Sequence, residues 1–302
     1  MSDLKLAFIG LGNMGGPMAR NLLAAGFDLT VADLDRNKVD ALVEIGARSA
    51  ADAVAAVAGA DVVLTSLPGP THVRAIGNQI VPAMRAGAVW VELSTNDLDC
   101  AHHLAQLADS HDIALLDAPV TGGAEGAEAG TLNLLVGGSA EVHERCVPVF
   151  TAIGDRYDLL GPAGAGYVAK ISQVMLCYLN SVCLTEALLL GAKGGVDPAK
   201  MLDVIQNSTG RSYVADRYGP ELLNGQYDTS FDLGLASKDL RLALQLAEQV
   251  GATLAFTADV GQLYERAEAE FGFDAPHLMA MQLIENENAP TLYQRTEPAH
   301  ER

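Results

Sequence analysis

The sequence predicts an α/β protein in two parts, an N-terminal doubly wound sheet and a C-terminal all-helical domain. Short apolar runs alternate with helical patterns through the first half of the chain, which is the rhythm of βαβ units. After about residue 161 the strand pattern stops and only helical spacing follows. At roughly 150 residues per domain, the 302 residues allow two such parts. We place them at 1–162 and 163–302, joined by a long interdomain helix.

The predicted strands of the first part are short and almost continuously apolar. Strands buried on both faces have this pattern, so it predicts a parallel sheet covered by helices. These strands span residues 4–9, 28–32, 61–66, 88–93, 112–116 and 132–136. Helical spacing predicts helices between them that include 14–25, 39–45 and 98–108. In the second part it predicts helices over 168–192, 198–206, 238–250, 258–270 and 276–284.

A cluster of glycine and proline, GPAGAG at 161–166, separates the two parts. Its loose backbone suits a hinge ahead of a long helix. The polar tail at 287–302 carries Pro290 and Pro298, and we predict that it is mobile.

The balance of charge excludes several classes of partner. Lys and Arg number 19 and Asp and Glu 38, which gives a net charge of −19. A surface this acidic repels phosphate backbones and anionic lipid, so we expect neither nucleic acid nor a membrane as partner. The most apolar long stretch, 174–191, contains Asn180, Ser181, Thr185 and Glu186 and is predicted to be a buried helix.

Cysteine and histidine usage indicates a metal-free protein of a reducing compartment. Four cysteines without a CxxC pair are too sparse for a disulfide framework, so we expect a cytoplasmic location. The apolar run 6–9 is too short for a signal sequence. No histidine spacing suggests a metal site.

The first strand leads into a glycine-rich turn that opens the first helix. Gly10, Gly12 and Gly15 form a GxGxxG pattern there. Gly10 makes the tight turn, Gly12 lets the backbone approach a pyrophosphate, and Gly15 lets helix and strand pack closely. This loop is our candidate cofactor site, and a plain strand-to-helix turn is the alternative. The residues between its glycines are Leu11, Asn13 and Met14.

Asp33 lies at the end of the second strand, 23 residues after Gly10. A carboxylate roughly 20 residues after the first glycine hydrogen-bonds the ribose 2′-hydroxyl of NAD, and it repels the extra phosphate of NADP. We therefore expect NAD as the preferred cofactor. NADP remains a second option because Arg36 lies near enough to soften the repulsion. A solvated strand end is the alternative for Asp33.

Residues at two further strand ends are candidates to line the cofactor, because ligands of open α/β sheets bind beyond the carboxyl ends of the strands. Leu67 and Pro68 follow the third predicted strand, and Ser94, Thr95 and Asn96 follow the fourth. Helix caps and turns are the alternative, since Ser, Thr and Asn favour them through their own hydrogen bonds to the backbone.

A second glycine-rich loop and one lysine are further candidates. Thr121, Gly122 and Gly123 lie just past a strand, where exposed N–H groups beside bare glycines form a pocket for a carboxylate. A loop that merely turns the chain is the alternative. Lys170 lies one turn inside the long helix after the hinge, a position where most lysines are solvated.

Six motifs occur in order along nearly the whole chain. They are GLGNMGGPMARNLLAAG at 10–26, SLP at 66–68, STN at 94–96, DAPVTGGAEGAEAGTL at 117–132, GAGYVAK at 164–170 and FDLGLASKDLRLAL at 231–244. Together they resemble the β-hydroxyacid dehydrogenase family. The resemblance implies hydride transfer between a nicotinamide and a carbinol carbon β to a carboxylate.

The resemblance also implies roles for Lys170 and for the second glycine-rich loop. Lys170 would be the general acid/base, and Thr121, Gly122 and Gly123 would hold the carboxylate of a small anionic substrate. A lysine with the ordinary pKa of about 10.4 can protonate an alkoxide. Burial or a nearby cation must lower that pKa before the amine acts as a base near neutrality.

In the helical domain the resemblance implies cofactor contacts for Phe231, Lys238 and Asp239 at the nicotinamide end. Two positions depart from the family, which usually has Asn three and four residues after the lysine, on the same helix face. This chain has Gln173 and Val174 there. Either Gln173 supplies the missing hydrogen bond or the pocket accepts a less polar group beside Val174. We expect a substrate outside the best-known small semialdehydes.

Two other functions stay open. An imine reductase-like enzyme shares this architecture but usually replaces the lysine, and a non-catalytic dinucleotide-binding protein would need no catalytic Lys170. The helix 168–192 is apolar around most of its circumference, more than one small domain needs to cover. We therefore expect a homodimer or homotetramer formed through the helical domain, which the family resemblance supports.

Overall fold

The computed structural model describes residues 4–288 of the chain. The chain divides into two compact units, Met1–Ile171 and Ser172–Arg302. The first unit contains a nine-stranded sheet with helices, and the second is helical where it is described. The predicted fold class is confirmed. The division falls inside the long helix, a few residues beyond the glycine and proline cluster at 161–166.

Strands and helices alternate along the first unit. Its strands are β1 (Lys5–Ile9), β2 (Asp28–Ala32), β3 (Arg48–Ser49), β4 (Val62–Thr65), β5 (Val89–Glu92), β6 (Ala114–Asp117), β7 (Val120–Thr121), β8 (Leu132–Gly137) and β9 (Gly154–Gly161). Its helices are α1 (Gly15–Ala24), α2 (Arg36–Val43), α3 (Ala53–Val57), α4 (Pro70–Ile80), α5 (Leu98–Asp109), α6 (Gly123–Ala129) and α7 (Ala140–Ile153), with a 3₁₀ turn at Val81–Ala83. The sheet order is β3-β2-β1-β4-β5-β6-β8-β7, with β9 paired to β8.

The central strands are buried on both faces, as their continuous apolar runs predict. Successive side chains of a strand point to opposite faces. Accordingly, Leu6 and Phe8 of β1 pack into one hydrophobic cluster, and Ala7 and Ile9 pack into another. Because β1 to β6 are all parallel, their carboxyl ends meet at one edge of the sheet.

The prediction of a wholly parallel sheet is wrong at one edge. Strand β8 runs antiparallel to both β6 and β7. Between β6 and β8 the chain forms only a two-residue strand and the seven-residue α6. A parallel connection needs a crossover of a dozen or more residues, usually a full helix. After α7, β9 pairs parallel to β8; the apolar pattern missed it because five of its eight residues are exposed and Asp155, Arg156 and Asp158 are charged.

The second unit consists of helices. Helix α8 (Ala165–Lys193) continues into it from the first unit, and it is followed by α9 (Pro198–Gln206), α10 (Tyr213–Arg217), α11 (Gly219–Asn224), α12 (Leu233–Val250), α13 (Ala255–Phe271) and α14 (Met279–Asn288). Helix α12 begins five residues before its predicted start. Residues 287 and 288 of the predicted mobile tail belong to α14. The rest of that prediction, 289–302, lies outside the described residues.

Within residues 4–288, α8 is the one helix long and apolar enough to cross a membrane, judged by length and composition alone. The core helix of a soluble protein meets the same criteria. Two of its polar residues, Ser181 and Thr185, are buried. Their hydroxyls donate to the carbonyls of Cys177 (3.0 Å) and Ser181 (2.9 Å), so both side chains are satisfied inside the helix.

The carboxylate of Asp117, at the end of β6, fixes the start of α8. Oδ1 accepts the N–H of Gly164 at 2.7 Å, and Oδ2 accepts those of Gly166 and Tyr167 at 2.8 and 3.2 Å. A Cβ at Gly166 would lie 2.1 Å from the carbonyl oxygen of Leu135, so only glycine allows this approach. Burial raises the pKa of Asp117 to about 6, although these N–H groups pull it the other way. The cluster predicted as a loose hinge is thus held to the sheet at its C-terminal end.

We predict that Asp117→Ala lowers the free energy of unfolding of the first unit by about 2 kcal/mol, since three buried N–H groups lose their acceptor. Urea denaturation followed by tryptophan fluorescence measures this, because the one tryptophan of the chain, Trp90, is buried in that unit. Asp52→Ala is the matched control, since Asp52 caps α3 at an exposed site through the N–H of Ala55. It should cost less than about 1 kcal/mol. Equal losses would contradict the anchoring role of Asp117.

Candidate active site

The glycine-rich turn after β1 contains two glycines that the chain itself requires. Gly10 has a φ of +89°, and a Cβ there would lie 2.2 Å from the carbonyl oxygen of Ser66. A Cβ at Gly15 would lie 1.9 Å from the carbonyl oxygen of Gly10. Gly12 differs, because a Cβ there would meet no protein atom within 4 Å. The space over Gly12 is therefore open to a ligand that approaches the backbone.

The N-terminus of α1 next to this turn is suited to an anion. No side chain caps it at Met14, and its first turn carries no acidic residue. The first N–H groups of a helix lack partners inside the helix and carry a partial positive charge. Asn13 is exposed and Met14 half-buried, whereas the side chain of Leu11 is buried in the core. Leu11 can therefore offer a ligand little beyond its backbone.

Asp33 supports the glycine-rich turn from the end of β2. Its Oδ2 accepts the N–H of Leu11 at 2.6 Å, and its Oδ1 accepts the N–H of Asp35 at 2.8 Å. A carboxylate has about four acceptor positions, so these two bonds leave room for a ligand hydroxyl. The sequence predicted the ribose contact but not this second role in holding the turn.

The ends of β1, β4 and β5 are connected by hydrogen bonds. The N–H of Ser66 donates to the carbonyl of Ile9 at 3.0 Å, and the N–H of Leu67 donates to Ser94 Oγ at 2.8 Å. Leu67 is half-buried and Pro68 is exposed. The first unit thus places the predicted residues Gly10 and Leu67 side by side, because a Cβ at Gly10 would lie 2.9 Å from the Leu67 side chain.

Glu92, the last residue of β5, was not predicted and is the centre of a buried hydrogen-bond network. Ser94 and Asn96, which the sequence suggested as cofactor contacts, are instead buried and donate to its carboxylate. Thr95 between them is half-buried. From α8, Tyr167 Oη donates to Glu92 Oε2 at 2.7 Å. Burial raises the pKa of Glu92 to about 7, although its hydrogen bonds partly offset this effect.

Lys170 lies one helical turn after Tyr167, in the first unit, and is half-buried. Asp117 holds the backbone of Tyr167 and Glu92 holds its hydroxyl. The turn of α8 that precedes Lys170 is therefore bonded to the same edge of the sheet as the glycine-rich turn. Within the first unit, the structure links these two predicted sites through a continuous set of hydrogen bonds.

The second glycine-rich loop has a backbone that only glycine adopts readily. Gly122 and Gly123 have φ values of +126° and +65°, and both are exposed. Thr121 ends β7, is half-buried, and pairs with Asn133 of β8. The glycines are thus required by this turn as well as compatible with a bound carboxylate.

The remaining predicted residues lie in the second unit. Lys238 Nζ lies 3.1 Å from Asp239 Oδ1, and Tyr178 Oη of α8 donates to Asp239 Oδ2 at 3.1 Å. The carbonyl of Phe231 accepts the N–H of the buried His277 at 2.9 Å. On α8, Gln173 is exposed and Val174 is half-buried. Three of the predicted residues, Phe231, Lys238 and Asp239, thus belong to hydrogen-bonded or ionic pairs on α12 and next to it.

Of the site residues that the sequence did not predict, only Glu92 has a recognisable local pattern. Glu92 follows the apolar run AVWV of a strand predicted to be buried. A buried carboxylate needs hydrogen-bond donors, and the Ser-Thr-Asn run directly after it supplies two of them. Asp117 and Tyr167 belong to the motifs at 117–132 and 164–170, but their contacts join segments about 50 to 75 residues apart in the chain. No local pattern identifies such contacts.

Two family models together match almost the whole described chain. Residues 5–161 match the NAD binding domain of 6-phosphogluconate dehydrogenase. Residues 164–284 match a domain described as NAD-binding of NADP-dependent 3-hydroxyisobutyrate dehydrogenase.

The matches to curated proteins and solved structures span most of this chain and most of each relative. The chain is 40% identical over 284 residues to 3-hydroxyisobutyrate dehydrogenase of Pseudomonas aeruginosa, covering 89% of this chain and 94% of the relative. It is 38% identical over 254 residues to an NAD-dependent L-serine dehydrogenase of the same species, covering 81% and 85%. The structure of Mycobacterium tuberculosis 3-hydroxyisobutyrate dehydrogenase with L-serine matches with a TM-score of 0.87 at 31% identity, covering 93% of this chain and 99% of that one.

The first unit fits the dinucleotide that these relatives imply. The open space over Gly12, the uncapped start of α1 and the carboxylate of Asp33 lie together around one turn. NAD is therefore the cofactor of this chain, with NADP as an alternative. The residues around this turn would hold its pyrophosphate and adenosine ribose.

We predict that Gly12→Ala weakens NADH binding by about tenfold or more, since the added methyl group occupies ligand space. The melting temperature of the free protein should stay almost unchanged, because no protein atom lies near that methyl group. Gly15→Ala is the matched comparison and should lower the melting temperature clearly, since its Cβ would overlap the backbone of Gly10. Fluorescence titration with NADH and thermal denaturation measure the two effects. Unchanged NADH affinity in Gly12→Ala would show that this space is not the cofactor site.

Proposed function

Since this chain belongs to the β-hydroxyacid dehydrogenase family, we propose that it interconverts a small β-hydroxy acid and the corresponding semialdehyde, with NAD preferred over NADP. It is an NAD(P)-dependent oxidoreductase that acts on CH–OH groups. The bound nicotinamide accepts or supplies the hydride. The observation that carries the finer proposal is the attachment of the first turns of α8, immediately before Lys170, to the sheet edge that bears the glycine-rich turn.

Lys170 is the proposed general acid/base. In oxidation its Nζ takes the proton of the substrate hydroxyl, and in reduction it returns a proton to the same oxygen. Two features support this role: the helix start before Lys170 is held by Asp117 and Glu92 through Tyr167, and the side chain of Lys170 is half-buried. A positioned amine of this kind meets the geometric demand of general acid/base catalysis better than a freely solvated lysine does.

Thr121, Gly122 and Gly123 are proposed to bind the substrate carboxylate. The hydroxyl of Thr121 and the N–H groups of the two glycines are the donors that this loop offers. The positive φ values of the glycines turn the backbone here, and both glycines are exposed. A carboxylate accepts such charge-assisted hydrogen bonds with a net gain.

The substrate side chain is proposed to meet Gln173 and Val174. The relatives above are named for 3-hydroxyisobutyrate and L-serine, whereas this chain has neither Asn of the usual pair. Gln173 is exposed on α8 and can extend an amide one methylene further, and Val174 offers an apolar contact. We therefore propose a substrate outside the best-known small semialdehydes, with a larger or less polar substituent.

We predict NAD reduction with β-hydroxy acids that carry larger or less polar substituents at C2, and a higher kcat/KM with NAD than with NADP. Initial rates at 340 nm measure this, with 3-hydroxyisobutyrate, L-serine, glycerate, 3-hydroxypropionate and 4-hydroxybutyrate as reference substrates. Turnover of a reference substrate at an ordinary kcat/KM above about 10⁴ M⁻¹s⁻¹ would refute the substrate assignment. Failure with every hydroxy acid would refute the proposed activity.

In the same assay Lys170→Ala should lower kcat by on the order of 10²–10⁴, the usual contribution of a general acid/base. NADH affinity should stay within about threefold. Lys193→Ala is the matched control, because Lys193 ends the same helix and contacts Asn288. The two alternatives predict other results: a non-catalytic binding protein has no activity to lose, and an imine reductase retains imine reduction without the lysine.

We also propose a cytoplasmic homodimer or homotetramer assembled through α8. In the second unit this helix exposes Leu176 by 53% and Leu190 by 76%, large apolar surfaces that a second copy of the chain can cover. We predict an oligomer at micromolar concentration by light scattering, and a shift to lower mass in the double variant Leu176→Glu, Leu190→Glu. Val43→Glu, at an exposed position on α2, should leave the mass unchanged. A monomeric wild-type protein would refute the assembly.

A further inference from the structure

We propose that Glu92 is a positioning residue: its ionised carboxylate holds both the loop after β5 and the helix that carries Lys170, and it releases them when it is protonated. The kinetic consequence rests on the proposed function of Lys170. The structural basis does not, because it consists of contacts within the first unit.

Five donors converge on the two oxygens of Glu92, which is fully buried. Oε1 accepts from the hydroxyl of Ser94, from that of Thr65 at 3.3 Å, and from the N–H of Ser94 at 3.0 Å. Oε2 accepts from Asn96 Nδ2 at 2.6 Å and from Tyr167 Oη at 2.7 Å. This is an arrangement of donors around a single acceptor group.

Two of the hydroxyls are oriented by their other partners. Thr65 Oγ1 accepts from Trp90 Nε1 at 2.9 Å, and Ser94 Oγ accepts from the N–H of Leu67 at 2.8 Å. Their lone pairs are thus engaged and their protons point to Glu92. All five donors that converge on Glu92 have an acceptor only when both of its oxygens accept, that is, when it is ionised.

Protonation of Glu92 disturbs this arrangement. Because burial raises the pKa of Glu92 to about 7, solvent delivers a proton to one of its oxygens as the pH falls through neutrality. That oxygen then carries a donor that faces other donors. At least one of the converging hydrogen bonds is then lost, and the others, among them those from Ser94 and Tyr167, are weakened because the acceptor is no longer charged. The network is therefore complete only above about pH 7.

The titratable groups around Glu92 do not ionise in this pH range, with one exception. Burial raises the pKa of Tyr167 on α8 well above 10 and that of Cys100 on α5 to about 12, and Glu92 adds to both effects. The charge of Arg74 on α4 lowers the pKa of Cys100 and so partly offsets these effects. Asp117 is the exception: it is the register partner of Glu92 on β6, and its pKa is about 6.

The two acids hold different parts of the same helix turn. Asp117 bonds the backbone of Tyr167, and Glu92 bonds its hydroxyl, one turn before Lys170. Through Ser94, Glu92 also holds the N–H of Leu67, which contacts the glycine-rich turn at Gly10. Protonation of Glu92 therefore loosens the cofactor-side loops and the lysine-bearing helix together.

Trp90 reports this event in the free protein, without cofactor or substrate. It is the only tryptophan of the chain and is hydrogen-bonded to Thr65, a direct partner of Glu92. A pH titration of its fluorescence between pH 5.5 and 8.5 should show a transition near pH 7 in the wild type. Glu92→Gln should abolish it. Tyr167→Phe removes one donor to the carboxylate and should move the transition upward by about half a unit or more.

The matched control is a second buried Glu–Tyr pair among residues 4–288. Glu285 is buried in the second unit and accepts from Tyr227 Oη at 3.0 Å, and burial raises its pKa as well. Glu285→Gln should leave the Trp90 transition and the rate profile unchanged. If Glu92→Gln does not fold, Tyr167→Phe decides, and an unmoved transition in that variant overturns the proposal.

A second experiment measures the pH dependence of kcat/KM. The wild-type value should fall roughly tenfold per pH unit below pH 7. Glu92→Gln should reduce kcat/KM by about tenfold or more at pH 8 and remove the limb near pH 7, and Glu92→Asp should restore part of both. If Glu92→Gln keeps the wild-type fall of kcat/KM below pH 7, or keeps the wild-type Trp90 transition, this inference is overturned and the proposed function is not. A wild-type protein without any turnover overturns the proposed function, and this inference with it.

Discussion

The interaction between the Asp117 carboxylate and the three N–H groups at the start of α8 is the constraint on which the rest of the site depends. It joins the end of a sheet strand to a helix that begins 48 residues later in the sequence, at Ala165. Its cost is the burial of a carboxylate, visible in the raised pKa of Asp117. Its gain is the satisfaction of N–H groups that have no partner inside the helix. Glycine is required at 166 because a Cβ there would lie 2.8 Å from Asp117 Oδ2, and it is favoured at 164 because φ there is +94°.

Glu92 and Asp117 make this edge of the sheet unusual, because two buried acids lie in register on neighbouring strands. Each avoids the penalty of an unpaired buried charge through donors of a different kind. Asp117 takes backbone N–H groups, and Glu92 takes mainly side-chain hydroxyl and amide groups. Only a substitution by proline removes a backbone donor, whereas many substitutions remove the side-chain donors of Glu92.

The sequence predicted those parts of the molecule that local patterns determine. The strands with continuous apolar runs, the glycine-rich turn and the helix with Lys170 all follow from spacing within short segments. The reversed direction of β8 did not, because strand direction depends on where the connection lies and not on the composition of the strand. Strand β9 is mostly exposed, and its charged residues at 155, 156 and 158 interrupt any apolar run. Glu92 and Tyr167 meet across 75 residues, and such a pairing has no periodicity that a single sequence can reveal.

Helix α8 is uninterrupted across residues 171 and 172, where the two units meet in the chain. The angular relation between Lys170 and the side chains at 173 and 174 is thereby set by helical geometry alone. One inserted residue would rotate everything beyond it by about 100° around the axis. Recombination between homologues at this point must therefore keep the number of residues in α8 unchanged, whereas the residue types can differ. Exchange of the second unit would bring in new side chains at 173 and 174, while Lys170 is inherited with the first unit.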